Sequence, residues 1–297
     1  MPRITLWIFA ACLLVSTAWA AETAPAGEAL PYEQEEDHVY ATIDEVDFYM
    51  DIFLPKERGP EKPGHGLAIV DVASGAWSSD RGKINDHKKA GFFDAYAKRG
   101  YVVFAVRPGT KGKYDALQMV DHLHHAIRYI KANAGKYGFD PDRLGITGPS
   151  AGGHLASLVA LNPRPADPDA SDPLLHHDTS VKAAGVFFPP TDFLDWDGKP
   201  ETQQLLGRII GPLLFLDGME GKSEVEIRER VMAASPRHQV KGKTVPFLIY
   251  HGDADVALDA LYVGVILLCG VSAVLTIDAL GLYASRTLAT FHRHLPR

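Results

Sequence analysis

A serine sits among small residues in Gly148-Pro149-Ser150-Ala151-Gly152. It lies between a short apolar run, Leu144 to Thr147, and a helical pattern from Ala151 to Leu161. A strand that enters a helix through so short a turn holds the serine hydroxyl at the tip of a sharp bend, where it can act as a nucleophile. Such a bend forces unusual dihedrals on the serine and crowds the backbone, and glycine at 148 and 152 leaves the room. The following helix aims its amino-terminal amides at the reacting centre, so the Ala151 N–H can face a developing oxyanion. A serine at its ordinary pKa is a poor nucleophile and needs a neighbouring base.

Other chemistry-bearing residues point nowhere as specific. His122, His124 and His125 fall on a predicted helix, yet no carboxylate or cysteine completes a metal set at ligand spacing, so a solvated helix face is expected and no metal. His176-His177-Asp178 lies in a Pro/Asp-rich loop and gets the same reading. His154 follows the glycines of the turn and reads as a helix-packing residue. Trp77, Trp196 and Phe187-Phe188 could line an acyl pocket, although core packing is the commoner use of such residues. No phosphate-binding glycine loop or nucleotide fingerprint is present, and no cofactor is expected.

The elements that must position Ser150 alternate between strand and helix patterns. Strands are expected at Val39–Ile43, Phe48–Phe53, Leu67–Val72, Tyr101–Val106, Leu144–Thr147, Ala183–Phe188 and Phe247–Tyr250. Helices are expected from a cap at Asn85 through Phe92, Phe93 and Tyr96, over Ala116–Ala134, and over Ala151–Leu161. This alternation implies an α/β fold with a mostly parallel sheet covered by helices on both faces. Residues 190 to 243 break the rhythm and read as a cap-like or lid-like insertion.

The 297 residues include 46% hydrophobic and 23% charged residues, which excludes a disordered or fibrous chain. Thirty basic residues against 37 acidic give a net charge of −7 with no Lys/Arg block, so nucleic acid is not an expected partner. Arg3, the apolar stretch Ile4 to Val15 and Ala18-Trp19-Ala20 form the three parts of a signal peptide, residues 1–20, implying a secreted or periplasmic protein. Its removal takes Cys12 and leaves Cys269 alone, so no disulfide framework is expected. Residues 21–37 read as a flexible leader and 38–297 as one domain.

Gly148-Pro149-Ser150-Ala151-Gly152-Gly153-His154-Leu155-Ala156 resembles the nucleophile turn of the α/β-hydrolase esterases, particularly their feruloyl-esterase-like and hormone-sensitive-lipase-like branches. The resemblance extends over Met50-Asp51-Ile52-Phe53-Leu54-Pro55, Asp140-Pro141-Asp142-Arg143, Phe188-Pro189-Pro190-Thr191-Asp192-Phe193, Ser235-Pro236 and His251-Gly252-Asp253-Ala254-Asp255, in the family's order. It implies an α/β-hydrolase fold and hydrolysis of a small carboxylic ester, carbohydrate-linked esters included, through an acyl-enzyme on Ser150. The family's His-Gly-Gly-Gly-Trp oxyanion loop corresponds to Ala73-Ser74-Gly75-Ala76-Trp77, where main-chain amides of Gly75 and Ala76 could still donate, together with Ala151. Asp255 takes the place of the triad acid, with Asp253 its weaker neighbour.

The resemblance breaks at the base. The order should be serine, acid, histidine, and only His292 and His294 follow Asp255. Leu282 stands roughly where the family's histidine belongs, and the run from Ala260 to Ile277 carries no charge. Three readings stay open. His292 or His294 swings in from a last helix; the tail is altered and leaves an inactive hydrolase shell; or the uncharged run meets the lower length limit of a membrane segment. A serine peptidase of the same fold is a further alternative.

Overall fold

The computed structural model describes residues 29–194 and 210–251. The signal peptide, leader residues 21–28, Trp196, Asp255, His292, His294 and the run 260–277 lie outside the described residues.

Seven strands form one sheet in the order β1-β2-β4-β3-β5-β6-β7. β1 (Tyr32–Ile43) and β2 (Val46–Pro55) make an antiparallel hairpin, and β2 pairs antiparallel with β4 (Val102–Val106). The remainder is parallel: β3 (Ala68–Val72) between β4 and β5 (Leu144–Pro149), then β6 (Ala183–Phe187) and β7 (Phe247–Tyr250). A central strand of a sheet covered on both faces buries both its sides and therefore reads as an unbroken apolar run. β4 is Val-Val-Phe-Ala-Val, buried throughout. Its residues divide by parity: Val102, Phe104 and Val106 join one core, while Val103 and Ala105 join the other.

The larger core is covered by α3 (Ala116–Ala132) and α5 (Ala151–Leu161). α3 starts at a reciprocal cap, in which Asp115 accepts from the Leu117 and Gln118 amides and Gln118 accepts from the Asp115 N–H. Leu123, Ile127 and Ile130 on its inner face are fully buried, each contributing about 1.5–3 kcal/mol of transfer free energy. The second core lies under α1 (Arg81–Lys89) and α2 (Phe92–Ala97), with Phe93 stacked on Phe53 at 3.7 Å. α4 (Ala134–Tyr137) closes the link into β5. Helices on both faces of a mostly parallel sheet are the architecture expected of an α/β hydrolase.

Three expectations need correction. The leader gives way to β1 at Tyr32, six residues before the expected domain start. The segment reads as leader because its partners are remote in sequence: Arg81 pairs with Glu36 at 3.2 Å and Asp37 at 2.6 Å, and Tyr32 packs edge-on against Phe53. Asn85 caps nothing. Asp80 precedes the helix that contains Asn85, and Gly91, at φ 72°, separates it from α2. The histidines of α3 are not a solvated face. His122 and His124 are buried, and the His122 Nδ1–H donates to the Pro108 carbonyl oxygen at 2.6 Å while the ring packs on Phe48.

Of the stretch read as an insertion, residues 210–243 include α6 (Glu224–Ala233) and α7 (Pro236–Gln239). Leu213, Leu214 and Val231 from this stretch belong to the larger core; Arg230 joins the stretch to α3 by pairing with Asp115, and within the stretch it donates to the Leu214 carbonyl at 2.9 Å.

Candidate active site

β5 ends at Pro149, and α5 begins at Ala151. The single residue between them, Ser150, has φ 50° and ψ −120°. For a side chain with a Cβ this region costs about 1–3 kcal/mol, so the surroundings must fix it. They do so through the backbone. The Ser150 N–H donates to Phe187 O of β6 at 2.8 Å, and the His154 N–H donates to Ser150 O at 2.9 Å. The turn is also packed beyond what side chains allow. A Cβ on Gly148 would stand 2.6 Å from the carbonyl carbon of Gly152, and a Cβ on Gly152 would fall inside contact distance of Val72 O. Both glycines are therefore there for close approach. Ser150 itself is half-buried, at the carboxyl end of the sheet, which is where ligands bind in such folds.

The loop after β3 leans on this turn, because the Gly152 N–H donates to Ser74 O at 3.1 Å. Gly75 and Ser78 exchange N–H···O bonds of 2.9 Å in both directions, closing a turn whose central residues, Ala76 (φ 49°) and Trp77 (φ 59°), both have positive φ. The Gly75 amide is thereby committed to Ser78. Ala76 is exposed, and among the described residues neither its N–H nor that of Ala151 is hydrogen-bonded. Neither Ala76 nor Trp77 is a glycine, so this turn also depends on its packing.

Trp77 supplies that packing. Its ring is buried edge-on to His154 and Phe193, and its Nε1–H donates to His154 Nδ1 at 3.1 Å. His154 Nε2 lies 2.7 Å from Ala234 O, so the proton is on Nε2 and Nδ1 is the acceptor. Complete burial lowers the His154 pKa to about 4, opposed by the bond to Ala234. The imidazole is neutral at neutral pH and both its nitrogens are in use. The sequence had offered it only as a packing residue. An indole N–H buried in the loop after β3 needs an acceptor, and that need was the available signal.

The exit from β6 is pinned from the same side. Ser235 Oγ accepts from the Phe193 N–H at 2.9 Å and donates to Val231 O at 2.7 Å. Asp192, buried, takes Arg237 at 2.9 Å and His238 at 3.2 Å. The first pairing joins the Pro-Pro-Thr-Asp-Phe and Ser-Pro motifs, and the second ties Asp192 to the two residues that follow Ser235-Pro236. A cavity of about 380 Å3 lies elsewhere, towards the amino ends of β3, β5 and β6, bordered by Ala68, Leu144, Lys182 and Thr147. Among the described residues no three His, Cys, Asp or Glu side chains converge as metal ligands, and no helix is long and apolar enough to cross a membrane.

Comparison with known proteins places these features in context. A family model described as BD-FAE matches residues 50–260. The chain is 27% identical over 192 residues to a probable carboxylic ester hydrolase, LipM, of Mycobacterium tuberculosis, covering 65% of this chain and 42% of that protein. It is 26% identical over 214 residues to the esterase LipQ of the same organism, covering 69% and 45%. It thus spans less than half the length of these curated relatives. Among solved structures, a truncated carbohydrate esterase from gut microbiota superposes with a TM-score of 0.58 at 22% identity, covering 86% of this chain and 85% of the other. An inhibited esterase B from Lactobacillus rhamnosis gives 0.56 at 20%, covering 81% and 72%. At these identities the structural likeness is one of fold, and the fold is that of the α/β hydrolases.

Proposed function

The chain belongs to the BD-FAE family, and from that premise we propose that it is a secreted or periplasmic serine hydrolase that cleaves small carboxylic esters through an acyl-enzyme on Ser150. The observation that carries this reading is the backbone of Ser150, held at φ 50° between β5 and α5 by the carbonyl of Phe187. A residue that stores such strain at a sheet's carboxyl edge is one whose side-chain direction matters.

In the proposed reaction Ser150 Oγ attacks the acyl carbon while an imidazole accepts its proton. The carbonyl oxygen becomes an oxyanion and accepts hydrogen bonds from the Ala76 and Ala151 amides, the two without other partners among the described residues. Gly75 then shapes the loop rather than donating, since its N–H already serves Ser78. The imidazolium returns its proton to the leaving alcohol, and water repeats the sequence to release the acid. His292 is proposed as the base and Asp255 as the carboxylate that orients it. The names of the relatives support esters as the substrate class, with carbohydrate-linked esters the narrower proposal.

One sequence observation favours a second reading, a hydrolase shell without activity: Leu282 stands where the resemblance calls for histidine. A fluorophosphonate probe and p-nitrophenyl acetate decide between the two. The mature protein should label and turn over ester, and Ser150→Ala should do neither. Absence of labelling in the wild type sinks the enzyme reading. Amino-terminal sequencing of the exported protein should begin at Ala21.

A further inference from the structure

We propose that His154 is a positioning residue for the oxyanion hole, acting through Trp77. The proposal rests on the ester-hydrolase reading above and adds a role that the reading does not need. Three elements meet at this imidazole. Its own backbone is in the first turn of α5, and its N–H donates to the carbonyl of Ser150, so its Cα is tied to the nucleophile. Nδ1 accepts the indole N–H of Trp77, and Nε2 donates to Ala234 O at the end of α6.

The need for such a tie follows from the loop's conformation. Two successive non-glycine residues at positive φ cost about 1–2 kcal/mol each, so an isolated Ala76-Trp77 turn relaxes to other geometries. Trp77 is fixed at its backbone by the Lys111 N–H, which donates to its carbonyl at 2.7 Å, and at its ring by His154. The backbone bond does not reach the indole, and packing against Phe193 confines the ring without giving its N–H a partner. The imidazole fixes the ring, and with it the path of Ala76, whose amide precedes Trp77 directly. One residue thereby links the helix that carries the Ala151 amide to the loop that carries the Ala76 amide. Preorganised donors are what such a site needs, and a misplacement of 1 Å can cost about 100-fold.

The two nitrogens can be separated experimentally. Asparagine places its Oδ1 where Nδ1 stands and can still accept from Trp77, while glutamine places its Nε2 where the imidazole Nε2 stands and can still donate to Ala234. The wild-type protein, His154→Asn, His154→Gln and Trp77→Phe are compared in p-nitrophenyl acetate hydrolysis and in the rate of fluorophosphonate labelling of Ser150. The expected result is a kcat for His154→Gln and Trp77→Phe lowered by about 10- to 100-fold at unchanged KM. His154→Asn should recover kcat to within about threefold of wild type, and His154→Gln/Trp77→Phe should be no slower than either single change. A merely structural tie to Ala234 predicts the reverse order, with Gln active and Asn impaired. That order, or equal activity in all four proteins, overturns the positioning role while leaving the esterase reading intact. A wild type that neither labels nor turns over overturns both.

Discussion

His154 carries a pH dependence of stability that can be worked out from its surroundings. The residue is fully buried, its pKa is lowered to about 4 by that burial, and the bond to Ala234 O is the one opposing influence. In the unfolded chain the same imidazole titrates near 6.5. Above that value both states are neutral and His154 contributes nothing to the pH slope. As the pH falls through 6.5 the unfolded chain takes up a proton that the folded protein refuses, so stability is lost progressively until about pH 4, where the folded state also protonates. From pH 7 to pH 5 the loss from this one group is about 2 kcal/mol. The assay is urea unfolding followed by tryptophan fluorescence at the two pH values, for wild type and His154→Asn. His124, lowered to about 3 by burial, adds a loss of the same sign, and His87, raised against its burial by Asp71, acts in the opposite sense. Both are present in each protein and cancel in the comparison. The wild type should therefore lose about 2 kcal/mol more than the variant between pH 7 and pH 5. Equal losses would mean that His154 is solvated or already charged, and the buried neutral imidazole would have to be abandoned.

Two further perturbations test the turn and its support. Gly148→Ala drives a Cβ into the backbone of Gly152 at 2.6 Å and should cost at least 1–3 kcal/mol (about the price of overpacking) with loss of Ser150 labelling, whereas Gly135→Ala, with nothing within 4 Å, should leave both unchanged or slightly improved. Thermal denaturation and probe labelling of the two variants side by side check the contrast. Asp115→Ala removes the cap of α3 and the partner of Arg230, and a urea midpoint shift equivalent to about 1–2 kcal/mol is expected; no shift would mean that the reciprocal cap does not form in solution.

The order of strands and helices was legible because burial leaves its mark in local periodicity. Val102 to Val106 is uniformly apolar since both its faces are covered, and Leu123, Ile127 and Ile130 recur at helical spacing since only one face of α3 is. Glycines 148 and 152 were legible for a related reason: a backbone crossing leaves no room for a Cβ, and the residue type records it. Where the sequence misled, the missing information was a partner remote along the chain. Glu36 and Asp37 read as leader because Arg81 lies far downstream, and His122 and His124 read as exposed because a polar side chain gives no sign of the core that encloses it.

By itself, then, the sequence determined the alternating elements, the cramped turn at Ser150 and the family's ordered motifs, all of which depend on neighbours close along the chain. Only the tertiary structure decided which amides of the Gly75–Ser78 turn are free, which nitrogen of His154 bears the proton, and that Trp77 rather than a glycine-rich run fixes the loop. Those depend on hydrogen bonds between groups as far apart as Trp77, His154 and Ala234, and a hydrogen bond's direction is set by where its partner stands, which no local pattern encodes.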